Sequence, residues 1–295
     1  MSPTTGPMAG RVCVVTGASS GIGEATATAL ASQGATVVMV SRDPVRAQAA
    51  RARVEQAAGA DADLDVQLAD LSAPASVREL AARLHERYPA IHVLVNSAGA
   101  AFGRRQETPD GVEATLALNH LGPFLLTNLL LDQLQAGAPS RVITLSSEAQ
   151  RQGRLHFEDL QLRTGYGTTR AYAQSKLANI VFTYELARRL QGSGVTANCV
   201  HPGAVATGFG RKTGGWFGLM TRLAQPFERT PERGADTVVW LATAPEVAGL
   251  TGRYFADRAE KRSTEASYNP DAGRRLWAES ARLTGLPAED EPRPS

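Results

Sequence analysis

Residues 11–16 form a short β-branched run that breaks directly into Gly17-Ala18-Ser19-Ser20-Gly21-Ile22-Gly23, after which the apolar residues follow a helical period. A chain that turns this sharply from strand to helix, with glycine where a Cβ would obstruct, folds the helix back across the strand. The alternation then recurs. Strand-like runs are expected at 36–40, 63–67, 92–95, 141–145, 195–200 and 252–255, with helices beginning near 22, 44, 73, 109, 170 and 231. This is the pattern of parallel strands joined by crossover helices. It predicts one doubly wound α/β domain over residues 10–286 with a seven-stranded parallel sheet, its ligand crevice at the carboxyl ends of the strands. Residues 1–9, rich in Pro, Thr and Gly, and 287–295, with three prolines and a run of acids, read as disordered tails.

Composition narrows the function. With 295 residues and 43% apolar content the chain can bury a substantial core. A net charge of +2, from 31 basic and 29 acidic residues, leaves no basic stripe, so nucleic acid is not an expected partner. The most apolar stretch, 121–134, is interrupted by Pro123, Thr127, Asn128, Asp132 and Gln133 and falls short of the ~20 apolar residues of a bilayer span. The first ten residues do not read as a signal peptide. Cys13 and Cys199 each lie in an apolar run, and the five histidines show no metal-ligand spacing. Reduced thiols, a cytoplasmic location and no metal are the expectations.

Unpaired N–H groups and the positive end of a helix dipole meet at the glycine turn, which suits a pyrophosphate. Gly17, Ser19, Ser20, Gly21, Ile22 and Gly23 are therefore candidate ligands of a dinucleotide. The spacing Gly-x-x-x-Gly-x-Gly departs from the more general Gly-x-Gly-x-x-Gly, and a purely structural turn is the competing reading. Eighteen residues beyond Gly23, where an acid would grip the ribose 2′-hydroxyl of NAD, the chain has Ser41-Arg42-Asp43-Pro44. Arg42 suits a 2′-phosphate, and Asp43 before Pro44 reads as a helix N-cap. NADP(H) is thus expected over NAD(H), with NAD(H) possible. Asp70, followed by Leu71, is placed to accept from the adenine amino group, or equally to cap the next helix.

Tyr172 and Lys176 stand four residues apart, which on a helix puts phenol and ammonium side by side. A free tyrosine titrates near pH 10; drawing it about three units toward neutrality takes about 4 kcal/mol, which a desolvated ammonium could largely supply. Tyr172 would then protonate a carbonyl oxygen. The pair alone is weak, since a half-buried Tyr beside a solvated Lys is common.

Taken in order, Thr16-Gly17-x-x-x-Gly21-x-Gly23, Asn96-Ser97-Ala98-Gly99, Ser147, Tyr172-x-x-x-Lys176 and Pro202-Gly203-x-Val205-x-Thr207 resemble the short-chain dehydrogenase/reductase family, over about residues 9–285. Within it, Ser146-Ser147-Glu148-Ala149 and Ser175-Lys176-Leu177-Ala178-Asn179 resemble the retinol-dehydrogenase-like branch. The resemblance implies a Rossmann-type fold, with Tyr172 as proton donor or acceptor, Lys176 tuning it while bonding the nicotinamide ribose, Ser147 orienting the substrate oxygen and Asn119 completing the set. It also implies coenzyme contacts at Asn96, Ala98, Gly99, Pro202, Gly203, Val205 and Thr207. Asn119 has its own physical argument. Pro123, four residues later, has no N–H, so in a continuous helix the Asn119 carbonyl is freed to hold a water that relays protons toward Lys176; a plain proline kink is the alternative. Two departures stand out: Ser97 replaces a second Asn, and no amino-terminal anchor is read, which weighs against a retinoid.

Between Gly208 and Pro226, Phe209, Trp216, Phe217, Leu219, Met220 and Leu223 lie among glycines, the mixture of a flap over an apolar pocket. The expected substrate is an apolar ketone, aldehyde or secondary alcohol. Leu125, Leu126, Leu129, Leu130 and Leu134 make a helix apolar on more than one face, from which, with the family pattern, a homodimer is expected. The rival readings are a non-catalytic dinucleotide-binding sensor or scaffold and a sugar-nucleotide epimerase. The four candidate catalytic residues argue against the first, and the glycine spacing and short carboxyl-terminal region against the second.

Overall fold

The computed structural model describes residues 6–203 and 230–287. β1 (Val12–Thr16), β2 (Thr36–Ser41), β3 (Leu64–Leu68), β4 (Val93–Asn96), β5 (Ser140–Leu145), β6 (Val195–Val200), β7 (Arg253–Ala256) and β8 (Ala259–Glu260) form one sheet in the order β3-β2-β1-β4-β5-β6-β7-β8. Every pairing is parallel except β7 with β8. The expected seven-stranded sheet therefore gains an antiparallel eighth strand. It is made by a two-residue hairpin in which Asp257 and Arg258 both take positive φ, 53° and 54°. Asn-Gly is the usual sequence for such a turn, and Asp-Arg hides it. Arg258 is held there by an ion pair with Asp236 and by its N–H on Thr237 Oγ1 at 3.1 Å.

Alternate strand residues serve opposite faces, as the pleat requires. Val14, Val38, Leu94 and Val142 enter one apolar cluster; Cys13, Val15, Val37, Met39, Val93, Val95 and Ile143 enter the other. The first face is covered by α3 (Pro74–Arg87), α5 (Gly122–Leu129) and α7 (Thr168–Arg189). The second is covered by α1 (Gly21–Ala31), α2 (Pro44–Ala58) and α8 (Pro231–Thr243). Strand order reverses at β1, between β2 and β4, which places a crevice at the carboxyl ends of β1 and β4.

The helix expected near 109 begins later. Thr108-Pro109-Asp110-Gly111 is a turn, with Gly111 at φ 74°, and Glu113 then caps α4 (Ala114–Leu116) by accepting from the Thr115 and Leu116 N–H groups, both at 2.8 Å. From α4 the chain passes through a π-helical turn, Ala117–Leu121, into α5 and then α6 (Leu131–Ala136). Packing also reaches further back than the expected disordered leader: Met8 is buried and its N–H bonds to the Gln33 carbonyl at 2.9 Å.

A further helix, α9 (Pro270–Thr284), lies outside the expected set and changes the reading of the leucine-rich segment. Leu125, Leu126, Leu130 and Leu134 are all buried within the chain itself. Trp277 of α9 packs against Phe124 and Phe182 at ring-centroid distances of 5.0 and 5.9 Å, and the Arg189 guanidinium lies 4.1 Å over its ring. Ser280 Oγ bonds His120 Nε2 at 2.8 Å, while Arg78 donates to the Thr284 and Gly285 carbonyls at 2.9 and 2.7 Å, satisfying the helix end. Most of the leucine-rich face is thus covered in cis, while Leu129 stays half-buried.

Candidate active site

At the end of β1 the glycine turn is as tight as its sequence demands. Gly17 has φ 69°, and a Cβ there would lie 2.9 Å from Ala98 Cα; a Cβ on Gly23 would lie 2.4 Å from the Gly17 carbonyl oxygen. Thr16 Oγ1 ties this turn to the loop after β4, accepting from the Ser97 and Ala98 N–H groups at 3.0 and 3.1 Å and donating to the Val95 carbonyl at 3.2 Å. Ser20 occupies the N-cap position of α1 without capping any α1 N–H, so the first turn of that helix keeps its donors for a ligand. A cradle that only glycine can line, opening on uncapped helix donors, fits a dinucleotide pyrophosphate.

Beside it, the four candidate catalytic residues meet. Ser147 follows β5 and Tyr172 lies in the second turn of α7, and the Ser147 hydroxyl is close enough to favour the Tyr172 phenolate. Lys176 Nζ lies 5.6 Å from the Tyr172 ring centroid and donates to the Leu145 carbonyl at 3.2 Å. A Cβ on Gly99 would come 3.2 Å from Asn119 Oδ1 and 3.4 Å from Lys176 Nζ, so the β4 loop presses on the same cluster. Protonation runs against the sequence expectation. Burial pushes the Tyr172 phenol up to about 12, opposed only by the Ser147 hydroxyl, and burial brings the Lys176 ammonium down to about 8. Lys176 does not draw the phenol toward neutrality here, because desolvation of both groups outweighs their attraction.

Asn119 arrives by a different route from the one its sequence suggests. The continuous α-helix that would free its carbonyl is replaced by the π turn, closed by the Gly122 N–H on the Ala117 carbonyl. Its side chain does the visible work: Oδ1 accepts from the Ala100 N–H at 2.8 Å, and Nδ2 donates to the Ala100 carbonyl at 2.9 Å and to Ser175 Oγ at 3.0 Å. Asn119 thereby clamps the β4 loop to α7 between Tyr172 and Lys176.

Other candidates divide. Asp43 caps α2, accepting from Val45 and Arg46 N–H at 2.9 and 3.1 Å, while Arg42 beside it is exposed. Asp70 spends Oδ1 on the Ser72 N–H and hydroxyl at 2.9 and 2.6 Å, a turn ahead of α3 that caps no N–H of that helix, and turns Oδ2 toward Arg42 Nη1 at 3.7 Å. Leu71 and Ile22 pack into or against the two cores. The Asn96 side chain points away from the crevice, donating to Thr127 Oγ1 at 3.0 Å and Thr144 Oγ1 at 3.5 Å. Ser19 is half-buried in the turn, and Pro202 and Gly203 follow β6, with Gly203 at φ 84°. Val205, Thr207 and the flap at 208–226 lie outside the described residues.

Several supporting residues escaped the sequence reading. Ser146 Oγ donates to the Lys176 carbonyl at 2.8 Å, and Asn179 Nδ2 to the Leu145 carbonyl at 3.0 Å, so both brace Lys176. Asn179 sits one helical turn beyond Lys176 in the same run, and that spacing was its available signal. Arg46 reaches the glycine turn, its Nη2 donating to Ser20 Oγ at 3.2 Å.

A glycine turn at the switch point of such a sheet, with hydroxyl, phenol and ammonium gathered beside it, defines an α/β oxidoreductase that works with a nicotinamide dinucleotide. Residues 11–216 match the family model for short chain dehydrogenases, and the chain belongs to that family, whose members act on CH–OH and C=O groups. It is 42% identical over 292 residues to retinol dehydrogenase 13 of Homo sapiens, a match covering 97% of this chain and 88% of the other. Among solved structures, a protein from Mycobacterium paratuberculosis superposes with TM-score 0.77 at 32% identity, covering 97% of this chain and 98% of that one. RhlG of Pseudomonas aeruginosa in its NADP active-site complex gives 0.68 at 29%, covering 86% and 97%. Among the described residues no helix is long and apolar enough to cross a membrane.

Proposed function

We propose that the chain uses NADP(H) to interconvert an apolar ketone or aldehyde and its alcohol, with Ser147 and Tyr172 acting at the substrate oxygen and Lys176 and Asn119 supporting them. The observation that carries this reading is the gathering of Tyr172, Lys176 and Asn119, with Ser147 beside the phenol, against the loop that meets the glycine turn. When the reduced coenzyme is bound, hydride comes from its nicotinamide. A phenol pushed up to about 12 stays protonated at neutral pH, so Tyr172 offers its O–H to a carbonyl oxygen and gives up the proton as negative charge develops there. Ser147 Oγ, beside the same phenol, would supply the second hydrogen bond that orients that oxygen. Lys176 then faces a phenolate across the ring edge, and its ammonium offsets the new charge while solvent restores the proton.

Gly17, Ser19, Ser20, Gly21 and Gly23 would hold the pyrophosphate, Arg42 the 2′-phosphate, and Ala98, Gly99, Pro202, Gly203, Val205 and Thr207 the nicotinamide half. The Asn96 and Leu71 side chains would support the walls rather than touch the coenzyme. The homodimer expected from the leucine-rich helix and the family pattern remains part of this reading, and sedimentation of the purified chain tests it. A cytoplasmic location accords with Cys13 and Cys199 being buried and unpaired.

Relatives at 40–42% identity are named retinol dehydrogenases, so retinal belongs among the first substrates to test. The test is NADPH consumption across retinal, lipophilic ketones, quinones and sugar aldehydes, with NADH run alongside. Turnover of apolar carbonyls with NADPH in preference to NADH is expected. Coenzyme binding without turnover of any carbonyl would favour the sensor reading.

A further inference from the structure

Away from the glycine turn, the back of the catalytic cluster is built by the π turn. Asn119 and His120 are neighbours in that turn and meet residues four apart on one face of α7. Asn119 Nδ2 donates to Ser175 Oγ at 3.0 Å, and Asn179 stands close enough to His120 to favour the protonated ring. His120 is fully buried, its ring near Phe124 and Phe182 at centroid distances of 6.2 and 6.0 Å. Burial brings it down to about 4, so at neutral pH it carries one N–H and one acceptor nitrogen.

The two ring nitrogens have different surroundings. Nε2 meets Ser280 Oγ of α9 at 2.8 Å. Nδ1 is buried and makes no hydrogen bond among the described residues, and the same holds for Asn179 Oδ1. A buried polar atom left unpaired costs about 1–3 kcal/mol. One tautomer relieves both atoms: the Ser280 hydroxyl donates to Nε2, and Nδ1–H turns to Asn179 Oδ1. That arrangement also decides which way round the Asn179 amide lies, since its two ends have nearly the same shape. With Oδ1 toward the imidazole, Nδ2 donates to the Leu145 carbonyl at 3.0 Å, the same carbonyl that accepts from Lys176 Nζ at 3.2 Å.

We propose, resting on the reading of Lys176 as the ammonium beside a working Tyr172, that His120 and Ser280 are positioning residues that fix Asn179 and, through the Leu145 carbonyl, hold Lys176 in place. Helix α9 thereby becomes part of the active site's support, with Ser280 at one end of the chain of bonds and Lys176 at the other. No proton has to move along it; each link only orients the next.

Lys176 can be watched without turnover. The chain holds three lysines, Lys176, Lys212 and Lys261, so protein labelled with 13C at lysine Cε gives three resonances, and Lys176→Met assigns one of them. Among the described residues, the titratable groups facing Lys176 are Tyr172 on α7 and Cys199 on β6, and the variants leave both intact. His120→Phe keeps a ring between Phe124 and Phe182 but removes both nitrogens. It should lower the Lys176 titration midpoint by about half a pH unit or more, because the ammonium loses part of a charged hydrogen bond. Ser280→Ala should lower it by less. Trp277→Phe loosens α9 against Phe124 and Phe182 while leaving the polar groups in place, so the midpoint should stay. In carbonyl reduction with NADPH, kcat should fall in the order of the midpoints, with KM for the carbonyl unchanged. If His120→Phe leaves the midpoint where it was, raises it, or moves it no further than Trp277→Phe does, the proposal is overturned while the reading of the site stands. Should His120→Phe not fold, Ser280→Ala decides by the same comparison. A midpoint that falls without any loss of kcat would support the positioning of Lys176 and overturn its part in the proposed reaction.

Discussion

Replacing Lys176 by Met should stabilise the fold while destroying activity. Lys176 is 4% exposed, and burial brings its ammonium from 10.5 to about 8. Keeping it charged at pH 7 therefore costs about 3 kcal/mol relative to the unfolded chain. Methionine has nearly the same length and no charge. The bond lost, to the Leu145 carbonyl, leaves that carbonyl with Asn179 Nδ2 at 3.0 Å, so no acceptor is stranded. Allowing about 1 kcal/mol for the missing bond, the variant should gain about 2 kcal/mol at pH 7. The pH dependence has a definite sign. Between about 8 and 10.5 the unfolded chain holds the Lys176 proton more tightly than the folded one, so wild-type stability gains with rising pH across that window and the advantage of the variant shrinks. Cys13 and Tyr172, both pushed up to about 12, act in the opposite direction at high pH but do so in both proteins, and the difference removes them; Cys199, which the Lys176 ammonium draws down, rises further in the variant, so the comparison is read at and below pH 10. Urea unfolding followed by circular dichroism at pH 7 and pH 10 measures it. A variant less stable than wild type at pH 7, or a difference that does not change with pH, would refute the claim that burial opposes this charge.

Two further substitutions probe the frame around the site. Gly23→Ala puts a Cβ against the Gly17 carbonyl, which is backbone and cannot swing aside, so a loss of about 1–3 kcal/mol in unfolding free energy and weaker nucleotide binding by calorimetry are expected. Glu113→Ala removes both acceptors that cap α4 just before the turn carrying Asn119; thermal unfolding should report a loss of about 1–2 kcal/mol.

Much of this architecture was legible because period and punctuation agreed. The β-branched runs sit at alternating-face positions of a buried sheet, and Asp43-Pro44 caps α2 as its residue types require. Failures fall where one signal hid another. Pro109-Asp110-Gly111 carries turn chemistry yet also resembles a helix start, and the structure follows the turn. The helix α9 has readable ends in Asn269-Pro270 and Gly285, but its inward stripe of Gly273, Leu276, Ser280, Ala281 and Thr284 is mostly small or polar, so no apolar period announced it. At the site, the residue types and their order were readable, because hydroxyl, phenol and ammonium each stand at a strand end or on one helical face. Protonation was not, since desolvation depends on how deeply the fold buries Tyr172 and Lys176, a quantity that spacing along the chain does not contain.

The central claim is that the Tyr172 phenol delivers the proton. Single-turnover oxidation of bound NADPH by a reducible carbonyl compound, compared between wild type and Tyr172→Phe, tests it most directly. The account predicts unchanged NADPH affinity and a rate at least ~100-fold lower. A Phe variant that turns over near the wild-type rate would contradict it.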